Sequence, residues 1–449
     1  MKKRVALSIA GFDPSGGAGL QADLKAFASL GVHGATVVTC ITVQNTQRVT
    51  DIYKLPVNVI EKQFDILIED FKIDAVKTGM LYNLEIVKCI SKRIKKHNLK
   101  VVVDPVTVAT SGNSLSDENF VNSIKKELLP YAFMMTPNIN EAQVFSNKKI
   151  KTFEDVKKAC SILHKMGPQY VLITGGHLKG DYAKDVMYNG KDYAVFSLPK
   201  IPDKIIHGSG CTFSSLITGL VALGENPNNA VERSKNIVWN MIYQSYNLNK
   251  SPYIVNTSLN ISKDVPYSFQ NKECFKIWLE LKESVETLIS ILPMDQIPEV
   301  GINVGYALAQ AKNHKDICAI DGRIVKTLCG GIRTGNICFG ASKHIASVIL
   351  AVMSFNSDIR CALNFKYSRD NIKKCKEAGF SIGSFNRTYE HSAISSTLDW
   401  GTKEAITKLN YIPDIIYDTG AVGKEPMIRL LGRNPKDLIE KIESLLKNL

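Results

Sequence analysis

The feature that most constrains this chain is an alternation running through residues 1–250. Short, unbroken apolar runs close on Gly, Pro or polar clusters, with helix-like segments between them: "RVALSIAG", "GATVVTCITVQ", "DAVKTGML", "KVVVDPV", "AFMMTPN" and "YVLITGG". Strands buried on both faces read this way, so the pattern predicts parallel strands joined by helical crossovers. The first crossover, "GGAGLQADLKAFASLG", puts Leu20, Leu24 and Phe27 on one helical face, with Gly31 as its C-cap. The predicted class is α/β: a doubly wound sheet with helices on both faces, followed by a second, smaller α/β domain.

In doubly wound sheets, ligands sit beyond the carboxyl ends of the strands. Those ends carry Asp13, Gln44, Gly79-Met80, Asp104-Pro105, Asn138 and Gly175-Gly176. "GFDPSGGAG" (11–19) is glycine-rich but is neither GxxxxGK[ST] nor a proper GxGxxG, and by itself it reads as a tight strand-to-helix turn. "TPNINEA" (136–142) supplies Asn138 and Glu141, a pair that could hold Mg²⁺ or its waters beside a polyphosphate. "HGSGCTFSS" (207–215) runs a Gly-Ser-Gly turn into Cys211 and a helical segment, which builds a site for negative charge from backbone N–H groups.

The texture changes around 247–270, where "NLNKSPYIVNTSLNISKDVPYSFQ" is polar, holds two prolines and lacks a helical period. The expected organisation is a domain over 1–250, a linker over 251–271 and a second domain over 272–449. The second opens on an amphipathic helix, "CFKIWLELKESVETLISIL", and then alternates strand-like runs such as "CALNFKY" and "DIIYDTG" with helices. There basic residues repeatedly lie beside Gly or Ser: Arg323, Arg333, Lys343, His344, Lys366, Arg369, Arg387 and Lys424. That placement suits phosphate. Asp414 and Asp418 are candidate metal or substrate ligands, though loop carboxylates are more often only solvated. There is no internal repeat and no low-complexity tract.

Composition narrows the function classes. The net charge of +13 would suit phosphorylated ligands or nucleic acid, but no dense Lys/Arg block stands out, and the excess reads as solvated lysine faces. None of the ten cysteines forms a CxxC pair, which argues against a zinc ribbon or a thioredoxin-type site. The start, "MKKRVALSIAGFDPSGG", is interrupted by Asp and Pro too early for a signal peptide. The longest apolar runs, such as "HIASVILAVMSF", fall short of the roughly 20 residues that span a bilayer. The expectation is a cytoplasmic protein with reduced thiols and neither nucleic-acid nor membrane partners.

The order GFDPSGGAG, VQN, KTGML, VVVDPV-VATSG, TPN--EA, GGH and HGSGCT resembles the hydroxymethylpyrimidine/phosphomethylpyrimidine kinases of the ribokinase-like superfamily, over nearly all of 1–250. The resemblance implies ATP-dependent phosphorylation of 4-amino-5-hydroxymethyl-2-methylpyrimidine and then of its monophosphate. It places Gln44 on the polar edge of the pyrimidine, Gly11, Met80 and Val106 around it, and Asp23 nearby. It gives Mg-ATP to Asn138, Glu141 and Asp104, with Asp104 and Glu141 as Mg²⁺ ligands and Lys235 near the nucleotide. Gly208, Gly210 and Cys211 fall at the transferred phosphoryl group. Many sugar kinases of the superfamily carry an Asp base where this chain has Cys211, so the thiol is either a base or a group that shapes the pocket. Thr174 stands where the family commonly has Lys in K-G-G-H, which puts the efficiency of one phosphorylation step in doubt. A homo-oligomer, a dimer, is implied.

Residues 272–449 resemble the archaeal-type thiamine-phosphate synthase domain through "GINVGYA", "IDGRI", "SKHIA" and "TGAVGKEP". This implies condensation of the pyrimidine diphosphate with 4-methyl-5-(2-phosphooxyethyl)thiazole, releasing pyrophosphate. Arg323 and His344 match residues held to matter for activity, Arg323 stabilising the leaving pyrophosphate with Mg²⁺. The alternative is a kinase carrying a non-catalytic, ligand-sensing C-terminal domain. Relatives of that domain attached to DNA-binding modules can lose the site, but here no helix-turn-helix pattern is added and both residues are present.

Overall fold

The computed structural model describes residues 3–107, 119–176, 180–201, 206–248, 252–257, 272–327, 330–387 and 397–446. The chain forms two compact units, Met1–Lys263 and Asp264–Leu449. Among the described residues of the first, one sheet contains β1 (Val5–Phe12), β2 (His33–Gln44), β3 (Val49–Lys54), β4 (Ala75–Thr78), β5 (Val101–Val103), β6 (Met134–Met135), β7 (Tyr170–Ile173), β8 (Tyr182–Tyr188) and β9 (Tyr193–Pro199). Their order is β3-β2-β1-β4-β5-β6-β7-β8-β9. The six strands from β2 to β7 in that order pair in parallel. They are the six apolar runs of the sequence. β3, β8 and β9 join the two edges by antiparallel pairing.

Eight helices are described in this unit: α1 (Gly19–Ser29), α2 (Val57–Asp70), α3 (Leu84–His97), α4 (Phe120–Ser123), α5 (Ile139–Ser146), α6 (Phe153–His164), α7 (Ser209–Ala222) and α8 (Pro227–Tyr243). Side chains alternate across a strand, so each strand feeds two cores. Leu7, Ile9, Val76, Val103 and Val171 pack with Phe64, Ile90, Phe145 and Leu163 from α2, α3, α5 and α6. Ala6, Ala75, Val102, Met134 and Leu172 pack with Phe27, Leu216, Leu220 and Val231 from α1, α7 and α8. The result is a doubly wound sheet between two helical layers. Beside it, β10 (Ile206–His207) pairs in parallel with β11 (Tyr253–Ile254).

The second unit opens on α9 (Lys272–Ile291), which buries Trp278, Leu281, Val285 and Leu288. Its strands are β12 (Val304–Ala307), β13 (Ile317–Asp321), β14 (Val325–Lys326), β15 (Ile332–Arg333), β16 (Asn336–Phe339), β17 (Cys361–Lys366), β18 (Ile382–Ser384), β19 (Ile415–Asp418) and β20 (Met427–Gly432). Seven form a sheet in the order β16-β13-β12-β17-β20-β19-β18, in which only β18 and β19 pair in parallel. The other helices are α10 (Lys343–Met353), α11 (Arg369–Glu377), α12 (Thr397–Leu409) and α13 (Pro435–Leu446). Ile345, Ile349 and Ile406 of α10 and α12 share a core with Ala319, Ala362, Ile416 and Leu431 of the strands. No described helix is long and apolar enough to cross a membrane.

Candidate functional sites

Strand order reverses around β1, where ligands bind in open α/β sheets. A cavity of about 490 Å³ opens there, and it gathers Gly11, Gln44, Met80, Asp104, Val106, Asn138, Glu141, Thr174, Gly208, Gly210 and Cys211 from separate strand ends and loops. At Gly11 the wall is tight: a Cβ would lie 2.9 Å from Cys40 Sγ and 3.2 Å from Met80 Sδ. The "VATSG" run (108–112) and His177 fall outside the described residues.

Gly208 caps α7 at φ 81°, and a Cβ there would lie 1.8 Å from the Gly17 carbonyl oxygen. Only glycine fits this left-handed turn against that loop. No side chain caps α7. Ser209, Gly210 and Cys211 line the cavity from its first turn, where backbone N–H groups have no intrahelical partner. The turn is therefore a donor site for an anion. The thiol behaves otherwise than a helix N-terminus alone would dictate. Burial pushes Cys211 up to about 12, against the pull of the Lys77 ammonium, and the Asp104 and Asp23 carboxylates add to the rise.

Lys77, the first residue of "KTGML", to which the sequence assigned no role, is the electrostatic centre of this site. Its side chain is fully buried, with Nζ 2.9 Å from Asp23 Oδ1 and 3.7 Å from Asp104 Oδ2. Burial opposes its charge, yet Asp23, Cys211 and Asp104 hold its pKa above the ordinary lysine value. Asp23, expected near the pocket, is not among the residues that line the cavity. It is fully buried and accepts hydrogen bonds from Ser8, Ser215 and Lys77, so it serves as a counter-charge beneath the floor. Lys235 is displaced likewise. It pairs with Asp185 at 2.6 Å, and Asp185 accepts a hydrogen bond from the Gly175 amide, so Lys235 secures the turn after β7.

The glycine-rich loop after β1 is organised by Asp13, which accepts from Ser15 N and Oγ and from Ala18 N, with His207 Nε2 at 3.3 Å. Burial works against that carboxylate, but His207, Ser15 and Ala18 bring its pKa below the ordinary aspartate value. Nε2 of His207 is also 3.5 Å from Gln44 Nε2. Asn138 and Glu141 form a capping box at the start of α5: Asn138 Oδ1 accepts from the Glu141 amide, and Glu141 Oε2 from the Asn138 amide. The NxxE spacing thus has a local structural cause as well as a place in the cavity. Burial first, then the Asp104 charge, raise Glu141 to about 8. Asp104 is raised by burial, with Lys77 and the Ser214 hydroxyl opposing.

In the second unit, Asn303 accepts from the Ile320 amide and donates through Nδ2 to the Ile320 and Gly322 carbonyls. This fixes the turn that presents Arg323. His344 is exposed in the first turn of α10, where no side chain caps the helix. Partial burial, then the charges of Arg323, Arg387 and Arg429, lower its imidazole below the ordinary histidine value. Arg429, on β20, escaped the sequence reading. Asp418 is fully buried and lies 2.7 Å from Arg429 Nη2 and 2.9 Å from Arg387 Nε. Asp414 serves elsewhere: it accepts from Ser381 and from Lys441, which ties β18 to α13. Among the described residues no group of three or more His, Cys, Asp or Glu could hold a metal ion.

Residues 13–256 match the family Phosphomethylpyrimidine kinase, and residues 280–444 match Thiamine-phosphate synthase ThiN. The chain is 36% identical to the bifunctional thiamine biosynthesis protein ThiDN of Methanocaldococcus jannaschii, over 99% of this chain and 98% of that protein. It is 39% identical to the hydroxymethylpyrimidine/phosphomethylpyrimidine kinase of Aquifex aeolicus, over 55% of this chain and 97% of that one. Among solved structures, an ADP complex of Bacillus subtilis pyridoxal kinase superposes with a TM-score of 0.54 at 35% identity, covering 57% of this chain and 98% of that chain. The first unit has the ribokinase-like fold of these vitamin kinases. With one family across its first unit, another across its second and a relative matched along almost its whole length, the chain belongs to the family of bifunctional thiamine-biosynthesis proteins that join a phosphomethylpyrimidine kinase to a ThiN-type thiamine-phosphate synthase.

Proposed function

We propose that residues 1–250 phosphorylate 4-amino-5-hydroxymethyl-2-methylpyrimidine with ATP and then phosphorylate the monophosphate. Residues 272–449 condense the resulting diphosphate with 4-methyl-5-(2-phosphooxyethyl)thiazole, and 251–271 link the two. The observation that carries the reading is the cavity itself, which sets the uncapped start of α7 at one wall and Gln44, Met80 and Val106 at another. A phosphoryl group fits the first wall and a polar-edged aromatic ring the second.

Phosphoryl transfer needs positioning and charge neutralisation more than covalent help from the protein. The amides of Ser209, Gly210 and Cys211 hold the charge that builds on the transferred group. Cys211 keeps its proton at neutral pH, so its role is to shape the site and orient the hydroxymethyl group. Asn138 and Thr174 contact the nucleotide side. The cavity lining suits Mg²⁺: Asp104 and Glu141 are buried carboxylates, the Asp104 charge helps to raise the Glu141 pKa, and Mg²⁺ is commonly bound by one or two carboxylates plus substrate phosphates. When bound there, it would neutralise phosphate charge. In the second unit Arg323 stabilises the departing pyrophosphate, and His344, its pKa lowered, acts as a neutral hydrogen-bonding group at pH 7.

The chain works in the cytoplasm as a dimer in this reading. Support for self-association is an apolar strip at the sheet edge, where Ile41 and Tyr53 are cross-strand partners and both are exposed.

The test is one reaction mixture of purified protein, Mg-ATP, hydroxymethylpyrimidine and thiazole phosphate, with products separated by mass. Thiamine phosphate is the expected product. Pyrimidine diphosphate accumulating alone would reduce the second unit to a sensor or a damaged enzyme, and no phosphorylation would overturn the kinase assignment.

A further inference from the structure

The second unit carries more buried positive charge than its own carboxylate can balance. Two guanidiniums, Arg387 and Arg429, converge on Asp418, whose Oδ1 also accepts from the Gly420 amide and whose side chain is fully buried. Arg429 is 3% exposed, and its Nη1 is buried with no hydrogen-bond partner among the described residues. A buried, unpartnered guanidinium N–H is costly unless a ligand completes it. The charges of Arg323, Arg387 and Arg429 all act on His344, in the uncapped first turn of α10, which sets the arginine pair in the electrostatic neighbourhood of that residue.

We propose that Arg387 and Arg429, oriented by Asp418, form a phosphate seat in the second unit, where Arg429 completes its hydrogen bonding on a phosphoryl oxygen of a substrate beside Arg323 and His344. The proposal rests on the synthase reading of this unit. Asp418 is a positioning residue: its carboxylate fixes the planes of both guanidiniums so that their free edges meet one tetrahedral anion. The Phe385 ring, whose centroid is 5.4 Å from Arg429 Cζ, holds that plane from the side. Both substrates of the condensation carry phosphate, one as a monoester and one as a diphosphate, and either chemistry suits the seat.

The test uses the full-length chain, with preformed pyrimidine diphosphate so that the kinase is bypassed. Steady-state constants are measured separately for each synthase substrate in wild type, R429M, D418N and R387K. R429M should raise KM for one phosphorylated substrate about 10- to 100-fold, the range for a lost charged hydrogen bond, with kcat changed far less. D418N should raise the same KM by a smaller factor. If the seat takes the monoester, R429M also erases the preference for thiazole phosphate over the thiazole alcohol. If it takes the diphosphate, inhibition by inorganic pyrophosphate weakens instead.

KM values within twofold of wild type for both substrates in R429M and D418N would overturn the seat while leaving the synthase reading intact. Should R429M fail to fold, R387K and a thermal-shift titration of wild type with inorganic phosphate and pyrophosphate decide. Stabilisation that R387K weakens supports the seat, and no stabilisation by either anion overturns it. A wild type that binds pyrophosphate but forms no thiamine phosphate would overturn the synthase reading and leave the seat standing.

Discussion

The two sites meet the same chemical problem, phosphate in a protein interior, with opposite electrostatics. The first-unit cavity is lined by Asp13, Asp104 and Glu141, with Asp23 beneath and Lys77 as the buried cation among them. Its help for an anion comes from neutral backbone dipoles at the start of α7, and the carboxylates call for a divalent cation to arrive with the nucleotide. In the second unit the charges of Arg323, Arg387 and Arg429 act on His344, and Asp418 is the carboxylate that pairs two of them. In the proposed function the first site takes a metal-bound polyphosphate, whereas the second carries its own positive charge. A transferring site gains from donors that match the moving group, whereas a site that must release pyrophosphate gains from fixed cations that stabilise the leaving charge.

The sharpest way to break this contrast is Lys77→Met. It leaves Asp23 and Asp104 buried without their cation, and losing one partner of a buried pair costs about 3–5 kcal/mol. Thermal melts should show the first unit destabilised by that order and kinase activity lost, while synthase turnover on preformed diphosphate persists below the melt. Loss of both activities together would show that the two electrostatic systems are not separate.

Next in size is Gly208→Ala, which forces a Cβ towards Gly17 O at positive φ and misaligns the α7 amides. Kinase kcat should fall about 100-fold, the scale for losing an oxyanion donor, with KM for the pyrimidine nearly unchanged. An unchanged kcat would remove the backbone dipoles from the account.

Glu141 sharpens the contrast through pH. Its folded pKa of about 8 lies above the ordinary glutamate value of 4.5, so the folded state holds a proton that the unfolded state releases. That stabilising contribution is full below the lower value and is lost as pH rises through about 8. A divalent cation must displace the same proton, so the Mg²⁺ requirement of the kinase should ease as pH rises towards about 8 and then level off. Glu141→Gln should flatten that slope and weaken the Mg²⁺ response about tenfold. The synthase activity should not share the slope. The smallest effect is expected from Cys211→Ser. In the proposed function the thiol, held near 12, keeps its proton, so kcat should drop less than about tenfold, and iodoacetamide should inactivate slowly at pH 8. Rapid alkylation with a thiolate-like pH profile would reverse that role.

Much of the first unit was legible because its central strands are buried on both faces and appear in the sequence as unbroken apolar runs. The edge strands were not. β3 mixes Thr, Asp and Lys into "VTDIYK" and is exposed or half-buried throughout, so it gives no continuous run. Gly208, Gly210 and Cys211 could be placed because a turn and a helix start are local. Lys77 could not, because its partner Asp23 is 54 residues away, and nothing beside it marks a buried ammonium. A lone cation inside an apolar run was the available signal, and "MIRLLG" offered the same signal for Arg429 on a strand buried along its whole length. Asn138 and Glu141 show the opposite case. Their spacing suggests metal chemistry, while its immediate local cause is a helix cap.

The sequence by itself determined the strand-helix alternation, the turn at 207–211 and the place of the first site beyond the strand ends, since periodicity, glycine geometry and connection rules act over a few residues at a time. Only the tertiary structure decided which charges are paired. Asp23 and Lys235 left the expected ligand set for Lys77 and Asp185, and Asp418 became the centre of an arginine pair. Charge pairing in a buried site depends on distances between distant segments and on the water removed between them, and both arise only when the sheet has closed.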